Sequence, residues 1–173
     1  MSIGVYPGSF DPLTIAHLSV ADAARRHLGL TRLDLAISRD ALGKPGRGSG
    51  VDERVELVRR HVGDRDWIDV VVVDARLIVD IAAGYDAVVM GADKWAQVND
   101  PVWYDDDPDE RDRVLSRLPR IAVAPRAGVV VPASIALPVP AHIDEVSSTA
   151  VRAGRIEWAA GHEPSREVRP REV

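Results

Sequence analysis

Five short runs of β-branched and aliphatic residues punctuate the chain, at residues 3–6, 33–38, 68–73, 87–91 and 121–124. Between them the apolar positions change to helical spacing. Residues 18–28 are alanine-rich and amphipathic, 52–62 set Val55, Leu57 and Val58 on one side, and 77–83 form a short crossover. Strand, helix and strand in alternation predict a parallel sheet. The four valines at 70–73 show no alternation, as suits a strand covered on both faces. The pattern therefore predicts an α/β fold, a doubly wound parallel sheet of about five strands with helices on both faces and a short C-terminal helical segment. Ligands in such sheets gather beyond the carboxyl ends of the strands. Gly8, Ser38 to Lys44, Asp74 and Gly91 to Asp93 are expected to emerge there.

Two polar stretches break this rhythm: the glycine-rich 43–50 and the acidic 99–112. Both read as long, mobile loops that contribute little to a core. Residues 1–163 are expected to form one domain, followed by a polar tail of alternating charge over 164–173. A length of 173 residues allows a real core without covalent staples. Lys and Arg total 22 against 27 Asp and Glu, a net charge of −5. That balance argues against a general nucleic-acid or membrane surface, so any anion site is expected to be local. The absence of cysteine removes disulfides, thiolate catalysis and thiolate zinc sites. No basic segment followed by an apolar core opens the chain, and no apolar run approaches the ~20 residues that cross a bilayer. A cytoplasmic location without membrane partners is the expectation.

The decapeptide GSFDPLTIAH, residues 8–17, places a glycine turn, two hydroxyls and a histidine at one strand-to-helix junction. A strand that ends in glycine leaves backbone N–H groups unpaired, and the positive end of the next helix points to the same place. Together they predict a phosphate site, with His17 donating from the first turns of the helix. The other four histidines, His27, His61, His142 and His162, have no spacing that suggests a ligand set. Asp105, Asp106, Asp107 and Asp109 lack the ligand spacing and turn glycine of a cation loop, and read as a solvated acidic segment. No protein-held metal is expected. The dinucleotide fingerprint GxGxxG does not follow the first strand, which disfavours a dehydrogenase.

The segment YPGSFDPLTIAH resembles the first motif of the nucleotidyltransferases related to class I aminoacyl-tRNA synthetases, (H/T)xGH after a GxFDP turn. Thr14 and His17 fill its outer positions and Ala16 stands in place of its glycine. VSSTAVRAG, residues 146–154, is similar to the ISSTxxR signature at the last helix of that family. The resemblance implies a Rossmann-like fold, ATP as a substrate, magnesium arriving with ATP, and a phosphate-bearing small molecule as acceptor. It implies that Gly8, Ser9, Phe10, Thr14 and His17 meet the ATP phosphates from the amino-terminal side. Ser147, Ser148, Thr149 and Arg152 are implied on the other side. Asp11 and Pro12 shape the turn, Ser9 also orients the acceptor phosphate, and Lys44 holds the place of a phosphate-bridging lysine. Taken alone, Ser148 and Thr149 read as helix caps and Arg152 as a solvated side chain.

The acceptor is open between two kinds. The first half resembles pantetheine-phosphate adenylyltransferases through YPGSFDPLT, GKP and DERVELVRR. MGADKWAQ, residues 90–97, is similar instead to nicotinate-nucleotide adenylyltransferases, in which a GAD segment precedes a tryptophan-bearing loop. On that resemblance Asp93, Trp95 and Trp103 contact the acceptor, the tryptophans by stacking on a pyridine ring. The other reading puts Trp95 in the core and leaves Trp103 to tether the acidic loop. Nicotinate or nicotinamide mononucleotide is the first expectation and phosphopantetheine the second. A nucleotide-binding protein of the same fold without turnover is the third. A cytidylyltransferase is disfavoured, because HIDEVSSTAVR lacks the arginine and glycine of an RTxGIST motif. A homo-oligomer is compatible with all three.

Overall fold

The computed structural model describes residues 1–39, 50–126, 128–143 and 145–162. Five parallel strands, β1 (Ile3–Pro7), β2 (Arg32–Ser38), β3 (Ile68–Val73), β4 (Ala87–Gly91) and β5 (Arg120–Ala124), form one sheet in the order β3-β2-β1-β4-β5. The helices between them are α1 (Ile15–Leu28), α2 (Val51–His61), α3 (Ile78–Ile81), α4 (Ala92–Asn99), α5 (Pro108–Leu115) and α6 (Ser148–Arg152). The chain builds outward from β1 to β3, then returns to the other side of β1 for β4 and β5. This reversal opens a crevice between the carboxyl ends of β1 and β4, the place where doubly wound sheets hold ligands.

Side-chain alternation divides the core in two. Tyr6, Leu33, Leu35, Ile37, Val89 and Ala122 pack with Val20, Ala21 and Ala24 of α1 and with Val55 and Val58 of α2. Their neighbours in the strands, Val5, Ala36, Val88, Met90 and Val123, pack with Ile81 of α3 and Ala92 of α4. Period two in the strands thus buries both faces, which accounts for the unbroken apolar runs in the sequence.

The acidic stretch 99–112 departs from the expectation of a mobile loop. It holds a 3-10 turn (Pro101–Tyr104) and then α5. Asp105, Asp106, Asp107 and Asp109 are all exposed, as expected of a solvated acidic segment, and the segment is ordered by caps: Asp100 accepts from the Val102 amide at 3.1 Å. Asp107 accepts from the amides of Asp109 and Glu110 at 2.9 and 3.2 Å, with Pro108 at the first helical position. Short acidic side chains at helix starts satisfy amides that have no partner within the helix. Two longer contacts close the segment, as the Tyr104 hydroxyl donates to the Val98 carbonyl and the Arg111 guanidinium to that of Asn99, at 2.9 and 3.3 Å. The glycine-rich expectation over 43–50 and the tail over 164–173 fall, except for Gly50, outside the described residues.

One charged group among the described residues is buried in the sheet. Asp34 is buried in β2, where the Arg32 guanidinium meets it at 2.8 and 3.0 Å and the Tyr85 hydroxyl donates at 2.9 Å. Burial, followed by the hydrogen bond to Asp34, pushes the Tyr85 phenol up to about 12. Removal of the phenol hydroxyl in Tyr85→Phe is expected to cost about 2 kcal/mol, one neutral donor lost from a charged acceptor. Arg32→Met is expected to cost more, because it strands a buried carboxylate without its counter-charge. Urea unfolding of the two variants measures the order.

Candidate active site

The turn from β1 into α1 is compact because its own side chains fill it. Phe10 is almost wholly buried and adopts a left-handed backbone, φ +45, a conformation that a bulky residue holds only when its surroundings impose it. Its ring lies against Gly8, where a Cβ would stand 2.7 Å from Phe10 Cζ. Glycine is required there for close approach. The expectation that the Gly8 amide stays unpaired is corrected, since it donates to the Ala36 carbonyl at 3.0 Å and extends the β1–β2 ladder by one residue.

Thr14 caps α1 and binds His17 reciprocally. The His17 amide approaches Thr14 Oγ1 at 3.4 Å, the Thr14 amide donates to His17 Nδ1 at 3.0 Å, and Thr14 Oγ1 lies 2.8 Å from the same nitrogen. An amide is always a donor, so Nδ1 is the acceptor and the neutral ring carries its proton on Nε2. Thr14 is fully buried and its hydroxyl is turned to His17, which makes it the orienter of the imidazole. Phe10 meets the His17 ring edge-on at 5.1 Å between centroids and Tyr6 lies 6.2 Å away. Burial lowers the His17 pKa to about 4, so near neutral pH the side chain is an uncharged N–H donor.

The second motif docks onto this turn. Ser147 caps α6, its hydroxyl accepting from the Ala150 amide at 3.1 Å. The Ser148 hydroxyl donates to the Pro12 carbonyl at 2.8 Å. The Arg152 guanidinium donates to the Asp11 carbonyl and, at 3.2 Å, to Thr149 Oγ1. Further on, the Ala160 amide donates to the Leu13 carbonyl at 2.9 Å beside an antiparallel bridge between Thr14 and Ala159. Segments more than 130 residues apart in the chain thus form one wall.

A cavity of about 560 Å³ opens beside that wall, at the crevice between β1 and β4, and both His17 and Arg152 line it. Gly8, Ser9, Phe10, Thr14, Ser147, Ser148 and Thr149 line it as well. On the far side are Asp93 at the start of α4 and the half-exposed Trp103. Trp95 is not brought there. It stands on α4 rather than on a loop, and packs against the core face of Val5, Ala36 and Met90. The expected stacking role therefore falls away for Trp95, whose ring the α4 periodicity directs to the sheet. Lys44 lies outside the described residues. Among the described residues no group of three His, Cys, Asp or Glu is placed to hold a metal ion.

Sequence reasoning missed three cavity cations: Arg76, Lys94 and Arg126. Arg76 and Arg126 follow β3 and β5 by a few residues, and that position beyond a strand's carboxyl end was the available signal. Arg126 pairs with Asp93 at 2.6 Å, so the expected acceptor carboxylate is charge-compensated by the neighbouring strand's exit.

The depressed His17 pKa fixes a sign. The folded ring titrates near 4 and an unfolded one near 6.5, so between those values the unfolded chain binds more protons. Stability is then full above about pH 6.5 and is lost as pH falls toward 4. Denaturant unfolding at pH 7 and pH 4.5 measures this loss, and His17→Gln is expected to flatten it. His17→Ala is expected to cost about 1 kcal/mol at pH 7 through the lost cap interaction.

Comparison with known proteins agrees with this arrangement. The cytidylyltransferase-like family model matches residues 5–154, a span that includes both motifs. Phosphopantetheine adenylyltransferase of Rhizorhabdus wittichii is 35% identical over 91 residues, 52% of this chain and 52% of that protein. The enzyme of the same name from Desulforamulus reducens is 45% identical over 60 residues, 34% of each chain. The chain thus spans about half the length, or less, of these relatives. Among solved structures, Plasmodium falciparum nicotinic acid mononucleotide adenylyltransferase complexed with NaAD superposes with a TM-score of 0.62 at 16% identity, covering 88% of this chain and 82% of that one. That likeness is one of fold. With the family model spanning most of its length and both motifs built into one cavity wall, the chain belongs to the cytidylyltransferase-like family.

Proposed function

We propose that the protein is an adenylyltransferase, which moves AMP from ATP to the phosphate of a small acceptor and releases pyrophosphate. The observation that carries this reading is the shared cavity wall of His17 and Arg152. An acceptor phosphate oxygen attacks the α-phosphorus, the bond to the bridging α–β oxygen breaks, and its electrons leave with pyrophosphate. The attacking phosphate is already ionised, so no protein nucleophile or base is required. The protein's work is placement and neutralisation of charge.

Thr14 holds His17 so that Nε2–H is the available donor, and a neutral donor follows charge as it develops without competing for the proton. Arg152 brings a permanent guanidinium to the same anion from the same wall. Ser9 and Phe10 line the intervening floor. Asp93 is already paired with Arg126 and the cavity offers no three-carboxylate cage among the described residues, a donor set that suits magnesium carried by ATP phosphates and water. When bound, the ion supplies further neutralisation of the leaving pyrophosphate.

For the acceptor, we favour nicotinate or nicotinamide mononucleotide. Trp103 gives the cavity a half-exposed aromatic face, which suits a flat pyridine ring, and the P. falciparum neighbour is named for the nicotinate nucleotide. Phosphopantetheine is the second reading. It is supported by the names of the sequence relatives and by an aliphatic wall of Leu77, Ile78, Leu115 and Leu118 that suits a flexible arm.

Pyrophosphate release from ATP and magnesium, run in parallel against the two pyridine mononucleotides and phosphopantetheine, tests the reading. A pyridine mononucleotide is expected to give the highest kcat/KM. Preference for phosphopantetheine would replace the first acceptor with the second, and ATP binding without turnover on any of them would leave a nucleotide-binding protein. His17→Ala is expected to lower kcat at least a hundredfold, and Arg152→Ala to raise KM for ATP about tenfold. Trp103→Ala is expected to raise acceptor KM several-fold with KM for ATP unchanged.

A further inference from the structure

Arg54, in the first turn of α2, contacts the phosphate turn from behind. Its Nη1 donates to the Ser9 carbonyl at 3.3 Å, across 45 residues of sequence. Its Nε is buried without a hydrogen-bond partner among the described residues, and no carboxylate among them pairs with it. A guanidinium that spends its contact on a neutral carbonyl, and not on an acid of its own helix, is poorly explained as a surface ion pair. The cavity is lined by Ser9 and Phe10 but not by Arg54.

The peptide between Ser9 and Phe10 is the one that enters the left-handed Phe10 conformation. In a trans peptide the C=O and N–H point in opposite directions, so fixing the Ser9 oxygen toward α2 turns the Phe10 N–H away from it. The Phe10 amide finds no acceptor among the described residues. We propose that Arg54 is a positioning residue: by holding the Ser9 carbonyl it sets the Ser9–Phe10 peptide so that the Phe10 N–H faces the cavity as a phosphate donor. The phosphate half of this assignment rests on the adenylyltransferase reading. The orientation half does not.

The test compares full-length wild type with Arg54→Met, which keeps bulk and removes the donors, and Arg54→Lys, which keeps charge and a donor. The Phe10 amide resonance is followed without nucleotide, and KM for ATP, KM for acceptor and kcat are measured alongside thermal midpoints. Arg54→Met is expected to shift the Phe10 amide and raise KM for ATP about tenfold with kcat little changed, and Arg54→Lys to recover most of the loss. A Phe10 amide and ATP KM that stay at wild-type values overturn the proposal. So does a loss in both substrate KM values that merely follows thermal stability in both variants. Should Arg54→Met fail to fold, Arg54→Gln, whose shorter side chain gives up the guanidinium's reach to the Ser9 carbonyl, decides: a joint shift of the Phe10 amide and ATP KM supports the proposal, and either unchanged overturns it. An inactive wild type would sink adenylyl transfer, whereas the nucleotide-free Phe10 amide would still support or overturn the orienting role.

Discussion

The contacts between residues 148–160 and the turn at residues 11–14 are the constraint on which the site depends. Backbone carbonyls of Asp11, Pro12 and Leu13 accept, in order, from the Arg152 guanidinium, the Ser148 hydroxyl and the Ala160 amide. A parallel sheet alone would bring only the β1 and β4 ends together. These bonds add the carboxy-terminal cations and hydroxyls to the same rim. They also satisfy carbonyls in a turn that has no sheet or helix partner of its own, so local structure and the site are maintained by the same hydrogen bonds.

Inside that rim the imidazole is controlled more tightly than its sequence position suggests. The Thr14 amide fixes which nitrogen accepts, the Phe10 and Tyr6 rings flank the imidazole, and desolvation keeps it neutral. Cationic charge is supplied instead by arginine and lysine around the cavity. On the proposed adenylyltransferase reading, a neutral directional donor and permanent cations divide the handling of a polyphosphate between them: one sets geometry, the others neutralise.

Much of this was legible in the sequence. The five apolar runs became the five strands within one residue at each end, because parallel strands covered on both faces need unbroken β-branched blocks. The two motifs reached one cavity because the doubly wound order brings strand ends together. The misreadings have physical causes. The acidic stretch reads as a mobile loop because caps do not show in composition: Asp100 and Asp107, though solvated, accept from amides at helix starts. Trp95 reads equally as a ring for stacking or for packing until the helical phase of α4 is known. The Gly8 amide looked open because ladder registry is a tertiary fact. Arg54 was invisible for the same reason, as it acts on a residue 45 positions away.

The account's central claim is that His17 and Arg152 meet a single nucleoside triphosphate. The most direct measurement is nitrogen-15 NMR of both side chains during titration with ATP and magnesium. The account predicts that the His17 Nε2 and Arg152 guanidinium signals shift together and saturate at one common Kd. Movement of only one of them, or two separate affinities, would contradict it.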